Sequence, residues 1–296
     1  MATLRDIRQR IKGIKSTSKI TSAMKMVATA KLKRSQSAIE NARPYFEGLE
    51  NMLSNLVESL GNEYDHPLLR KVDEVKNIAI IVISADRGLC GSFNSNLLKY
   101  VMNHVNTEIL QKYKNANVKV IPVGRKSVSF FAKQPFEIIQ NFNNAFVNLD
   151  FSLAKHIVDG VREKFINGEI DKVIVFRNEF INVLKQEPRE VELLPVESSK
   201  STKTDINTKK VDFIFEPSIK AIVDDLLPKV VDVKVWRSLL ESNAAEQAAR
   251  RIAMDNATRN ANDLINFLEL QYNKARQAAI TTEMLEIVGG AEALQG

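Results

Sequence analysis

The chain has 296 residues, 44% of them hydrophobic, enough for one medium domain carrying extended helices or for two domains. Aromatics are sparse at 7%, and glycine (11) and proline (8) are few, a composition that leans helical. The formal charge of +6 points to an acidic partner surface, anionic lipid or nucleic acid, while the single cysteine, Cys90, excludes an internal disulfide or dithiol switch.

From Thr3 to about Leu60 the sequence reads as one long helix, with Asp6 favouring its N-terminus. Leu4, Ile7, Ile11 and Ile14 repeat at three and four. After a polar stretch, Ile20, Met24 and Val27 resume the stripe, and Leu49, Met52/Leu53, Leu56 and Leu60 close it. Pro44 marks a candidate bend. "GNEYDHP", residues 61–67, ends the helix. The start, "MATLRDIRQRIKGIK", is basic and amphipathic like a mitochondrial presequence. It lacks a cleavage pattern and its periodicity runs far past residue 30, so it reads as mature protein.

From residue 75 to 196 short apolar runs alternate with helical ones. Strands are expected at 77–84, 118–123, 171–176, 180–185 and 191–196, and helices at 94–112, 126–132 and 151–167. That alternation predicts an α/β fold: a mostly parallel, Rossmann-like sheet covered by helices, with a hairpin at its end. "ESSKSTKTDINTKK", residues 197–210, is polar and aperiodic, a solvated loop.

Helical periodicity returns from Pro217 to Val288, with Pro228 expected to kink or split its first part. Beyond it Ala257, Ala261, Leu264, Leu268, Gln271, Ala275, Ala278, Thr282 and Leu285 keep coiled-coil spacing, rich in alanine. Helices of some 55–70 residues, at ~1.5 Å each, are too long to be packed inside their own globule. They must bury their stripes against each other or against partners. Because they sit at opposite ends with one domain between, residues 1–60 and 211–296 are expected to pair as a long antiparallel two-helix coiled coil.

The residues that could carry chemistry are few. "SADRGLCGSF" follows a buried strand and precedes a helix, the place where α/β proteins often hold phosphate. Its glycines, Gly88 and Gly91, match neither G-x-G-x-x-G nor the P-loop, so it reads as a tight turn. His66, His104 and His156 form no ligand spacing with Cys90, and no histidine lies near that thiol in sequence. Asp224 and Asp225 are neighbours on a helix, pointing roughly 100° apart, a poor acid/base pair. Nothing supports an enzyme, a metal or a cofactor, and no run reaches the roughly 20 apolar residues of a membrane span.

Two surfaces are more informative. Up to residue 34 there are ten Lys or Arg (residues 5, 8, 10, 12, 15, 19, 25, 31, 33 and 34) against one acid, Asp6. So lopsided a face asks for an acidic neighbour. One reading is a basic coiled-coil nucleic-acid-binding protein, although no helix-turn-helix, zinc finger or aromatic stacking platform accompanies the charges. The other is an acidic protein. At the far end, "TTEMLEIVGGAEALQG" stays apolar almost to its last residue, where chain ends are normally polar. Such a tip fits a hydrophobic socket supplied by another chain.

"IRQRIKGIKSTSKITSAMKMVATAKLKRSQ", "SADRGLCGSFN" and the stretch from "ESNAAEQAARR" to "VGGAEAL" together resemble the gamma subunit of F-type ATP synthase, in order and over the whole chain. The resemblance implies a non-catalytic rotor: an antiparallel coiled coil inside a hexamer of three alpha and three beta subunits, above a Rossmann-like domain that meets the epsilon subunit and the c-ring. Ion flow turns the ring, and the shaft drives each beta subunit through its binding states, making ATP or, in reverse, hydrolysing it. It further implies that Met24 and Lys25 face acidic loops at the lower edge of beta. Arg250, Arg276, Gln277 and Thr281 would touch the catch regions and the collar. Met284, Leu285, Ile287, Val288 and Leu294 would form the tip in its bearing. No nucleic acid is expected as partner, and membrane association comes only through the complex, on the cytoplasmic side of the bacterial inner membrane. The regulatory insertion of plant relatives, with its two cysteines, has no counterpart here.

Overall fold

The computed structural model describes residues 3–60, 64, 66–113, 116–196, 216 and 218–295, with the side chains of 58, 59 and 292–295 left out. The polar stretch 197–210 therefore lies outside the described residues. Two long helices, α1 (Leu4–Leu60) and α6 (Ile219–Gln295), flank an α/β region. Between them run β1 (Asn77–Ile83), α2 (Phe93–His104), a π-helical turn at Val105–Ile109, α3 (Leu110–Lys112) and β2 (Asn117–Val123). Then come α4 (Arg125–Phe131), β3 (Glu137–Ile138), α5 (Phe151–Ile166), β4 (Lys172–Phe180) and β5 (Gln186–Leu194).

The five strands form one sheet in the order β3-β2-β1-β4-β5. β1 is parallel to β2 and β4, and β2 to β3, whereas β4 and β5 form an antiparallel hairpin with an irregularity at Val173/Ile174. β1 lies at the centre because "IAIIVI" is apolar at every position, as a strand covered on both faces must be. Its side chains divide by parity. Ala79, Ile81 and Ile83 pack with Val158, Val161 and Phe165 of α5, whereas Ile78, Ile80 and Val82 pack with Leu97, Val101 and Val105 on the α2 side. The mostly parallel, Rossmann-like sheet and the terminal helices match the expectation.

Three details differ from it. Residues 181–185 are the hairpin turn and not a strand, because the Asn182 carboxamide oxygen accepts from Leu184 N and Lys185 N (both 2.9 Å) and folds the chain back. The hairpin strands are accordingly longer and displaced. Strand β3, two residues long, is too short to leave a periodic signal. Pro228 does not split α6, which runs unbroken through it. A proline inside a helix costs about 3 kcal/mol, and the complete burial of Leu227 and Val231 beside it offsets that loss.

The loop after β1 closes on itself. Asp86 accepts from Arg125 N (3.0 Å) and Phe146 N (2.8 Å), Asn94 Oδ1 accepts from Ala85 N, and Ser84 Oγ accepts from Ser127 N at 2.7 Å. Backbone donors at the start of α4 are thus spent on protein acceptors. Gly124 has φ +91, and a Cβ there would lie 2.1 Å from Ser84 O, so this crossing requires glycine. The tight-turn reading of "SADRGLCGSF" agrees with this geometry.

The chain divides into two compact units, residues 1–29 with 250–296, and residues 30–249. Each contains a stretch of both long helices. In the larger unit Leu49, Leu53 and Leu56 of α1 and Val223, Leu227, Val231, Val235 and Leu239 of α6 join the sheet core.

Candidate partner-binding surfaces of the long helices

In the smaller unit α1 and α6 pair antiparallel. Lys15 Nζ donates to Glu269 at 2.6 Å, Ser18 Oγ to Asn262 Oδ1 at 2.8 Å, and the Thr21 and Thr258 hydroxyls meet at 2.8 Å. Lys25 Nζ reaches Asp255 at 2.5 Å. As one helix advances from 15 to 25, the other retreats from 269 to 255. These four polar rungs mark the register, alongside the buried apolar positions of the same seam. The Asp255 carboxyl is held at about 2, chiefly by the Arg259 guanidinium one turn along and then by the Lys25 ammonium.

The seam is a phase away from the expected one. Along α1 the three-four repeat that begins at Leu4, Ile7, Ile11 and Ile14 continues through Ser18, Thr21, Lys25 and Ala28, all buried or half-buried. Ile20 and Val27, expected in the stripe, are 58% and 57% exposed, and Met26 is exposed with them. On α6 the inward positions are Met254, Thr258, Ala261, Ile265, Leu268, Tyr272, Ala275 and Ala279. Ala261, Leu268 and Ala275 agree with the expected set, but Leu264 is 39% exposed and Ile265 takes its place. Alanine is densest further down, in the larger unit, where Ala244, Ala245 and Ala248 are fully buried. Extending the first four apolar positions unchanged would have found the seam. Following the apolar residues off it hid the exposed patch of Ile20, Met26 and Val27.

Around the rungs α1 is basic: Arg5, Arg8, Lys12, Lys15 and Lys19 line one groove along it. The residues carried over by resemblance are distributed as follows. Met24 is half-buried beside Lys25, and Arg250 is half-buried. Arg276 and Gln277 are exposed, and Thr281, exposed too, donates its hydroxyl to the Gln277 carbonyl at 2.9 Å. Met284, Leu285, Ile287 and Val288 are all exposed, Ile287 at 71%, and Ile280 joins them. The Leu294 side chain lies outside the described residues. Among the described residues no site brings all of these together: Met24 and Lys25 form one band, Arg276 to Thr281 another and Met284 to Val288 a terminal apolar stretch, with Arg250 apart from them.

Among the described residues no cluster of His, Cys, Asp or Glu could hold a metal ion, and no helix is long and apolar enough to cross a membrane. A sequence profile of the family described as ATP synthase matches residues 3–294. The chain is 47% identical to the ATP synthase gamma chain of Chlorobium limicola over the full length of both, and 46% identical to that of Prosthecochloris aestuarii with the same coverage. Its fold is similar to a chain of the Tetrahymena thermophila mitochondrial ATP synthase central stalk/c-ring structure, with a TM-score of 0.61 at 26% identity, over 80% of this chain and 99% of that one. A chain of the Euglena gracilis mitochondrial ATP synthase OSCP/F1/c-ring structure has the same fold, with a TM-score of 0.67 at 21% identity, over 98% and 94%. The helix pair, the central sheet and the end-to-end identity agree: the chain belongs to the ATP synthase family, among its gamma chains.

Proposed function

We infer that this chain is the central rotor shaft of an F-type ATP synthase, passing torque between an ion-driven ring and a catalytic hexamer while carrying no catalytic site of its own. The observation that carries this reading is the exposed aliphatic run Ile280–Val288 at the end of a helix whose whole sequence aligns with gamma chains. A lone chain gains nothing by exposing five large aliphatic side chains within nine residues; a surrounding collar of other chains would cover them. The nucleic-acid reading is not supported, since the relatives are gamma chains and no base-reading element accompanies the basic groove.

In finer terms, the partners are the alpha and beta subunits around the helix pair and the epsilon subunit and c-ring against the α/β region. The whole is attached peripherally on the cytoplasmic side of the bacterial inner membrane. Residues 1–60 and 211–296 act as the shaft and 75–196 as the α/β region that it carries. Met24 and Lys25 meet the lower part of beta, where the basic segment from Lys19 to Arg34 answers acidic loops. Arg250, Arg276, Gln277 and Thr281 meet the catch regions and the collar. Met284, Leu285, Ile287, Val288 and Leu294 turn in an apolar bearing. Apolar contact is non-directional, so a greasy tip rotates without breaking an oriented bond at each step.

The test is co-expression with the alpha and beta subunits, followed by ATPase assay of the complex before and after trimming the chain from Glu283. The expected result is a stable complex whose hydrolysis survives trimming at reduced rate. Failure of the full chain to assemble with alpha and beta overturns the reading.

A further inference from the structure

Eight charged side chains alternate in sign along one path through the larger unit. Lys185 pairs with Glu187 at 2.7 Å, Glu187 with Arg189 at 3.5 Å, and Arg189 with Glu179 at 3.0 Å. Glu179 lies 4.0 Å from Arg177, whose guanidinium contacts Glu241. Glu241 also accepts from Arg237 Nε at 2.9 Å, and Arg237 lies 3.9 Å from Glu50. The path starts on the β4–β5 hairpin, crosses to α6 and ends on α1. Its outer members are solvent-exposed, and its centre is not: the side chains of Arg177 and Glu241 are only 7% and 11% exposed.

The apolar contact beside it is built on alanines. Phe180 and Val183 of the hairpin rest on Leu32 of α1 and on Ala244 and Ala248 of α6. Alanines present no ridge, so this contact resists separation more than sliding. A contact between opposite charges this buried, little screened by salt, does resist sliding.

We propose that the Arg177–Glu241 contact, with the alternating chain around it, is the clasp that carries torque between the α/β region and the helix pair, Arg177 and Glu241 being positioning residues for rotary coupling. The proposal rests on the rotor reading above.

The test uses the complete synthase in sealed vesicles, with ATP hydrolysis and ATP-driven ion uptake measured together. In Arg177→Met/Glu241→Leu both charges go at once, a replacement that buried ion pairs commonly tolerate without loss of stability. The variant chain is expected to keep its thermal midpoint, and its complex to hydrolyse ATP within about twofold of the parent. Ion uptake per ATP against an imposed gradient should fall at least about threefold. Unchanged uptake per ATP in that stable variant overturns the clasp. Should the double variant not assemble, Arg237→Gln/Glu50→Gln at the exposed end carries the test, with uptake per ATP expected to drop by at least about 1.5-fold and unchanged uptake again overturning the clasp. The parent complex separates the two readings. If it pumps and the variants pump equally well, only the clasp is lost; if it never couples hydrolysis to uptake, the rotor reading goes as well.

Discussion

The two ends of α6 have similar aliphatic content and opposite surroundings. Between residues 219 and 249, Val223, Leu227, Val230, Val231, Val235 and Leu239 are almost wholly buried against the chain's own sheet and α1. Between 280 and 288, Ile280, Met284, Leu285, Ile287 and Val288 are exposed. Hydrophobicity alone does not distinguish a core from a docking surface. What distinguishes them is whether the chain has anything left to cover the residue. Among the described residues α1 begins at Leu4, and the antiparallel register of the rungs sets no part of it opposite the last turns of α6.

Four measurements would break or sharpen that contrast. The largest effect belongs to the buried end: Leu227→Ala should lower the unfolding free energy of the isolated chain by about 2–5 kcal/mol, read as a shifted urea midpoint. A change near zero would mean that this end is not core. In the smaller unit Thr258→Val removes a hydroxyl rung while Thr21 keeps its bond to the Ser18 carbonyl. The expected cost is about 1 kcal/mol, with thermal denaturation as the readout. Acid should loosen the same pairing. Asp255 has its folded-state pKa lowered from 3.8 to about 2, so its contribution is fully present above about pH 4 and is lost as pH falls through about 2. A helicity titration on the parent and on Asp255→Asn checks this, the variant being expected to lack that part of the transition. The smallest effect belongs to the exposed end: Ile287→Ser should change the stability of the isolated chain by no more than about 0.5 kcal/mol. Its yield on co-purification with alpha and beta should nevertheless fall, and a large loss of stability in isolation would show that the residue already has an intramolecular partner.

Much of this was legible in the sequence, and what was missed has physical causes. Strands β1 and β2 and helix α5 announce themselves because burial on both faces, or on one helical stripe, leaves an unmistakable period. The strand expected at 180–185 fails because Ile181, Val183 and Leu184 carry β-propensity while Asn182 carries the turn. The local hydrogen bonds of that one side chain decide the outcome. The seam was misphased where an apolar residue sits next to the inward-facing one, Ile20 beside Thr21 and Leu264 beside Ile265. In a thin two-helix pair a threonine–threonine hydroxyl contact serves as well inside as an isoleucine. Of the surfaces, the apolar tip and the basic groove were visible as composition. The exposed patch of Ile20, Met26 and Val27 was not, because exposure depends on the phase of a helix whose partner lies more than 200 residues away. The Arg177–Glu241 contact was hidden for the same reason: pairing across a fold leaves no trace in local spacing.

That separation governs how the polypeptide is made. Lys15 meets Glu269, 254 positions further along the chain. At ribosomal speeds of about 5–20 residues per second, the beginning of α1 waits roughly 10–50 s before its mate emerges. During that wait the sheet, whose contacts are nearer in sequence, has time to form. The basic start of α1 spends it as an unpartnered cationic segment, and the zipping of the two termini closes maturation instead of starting it.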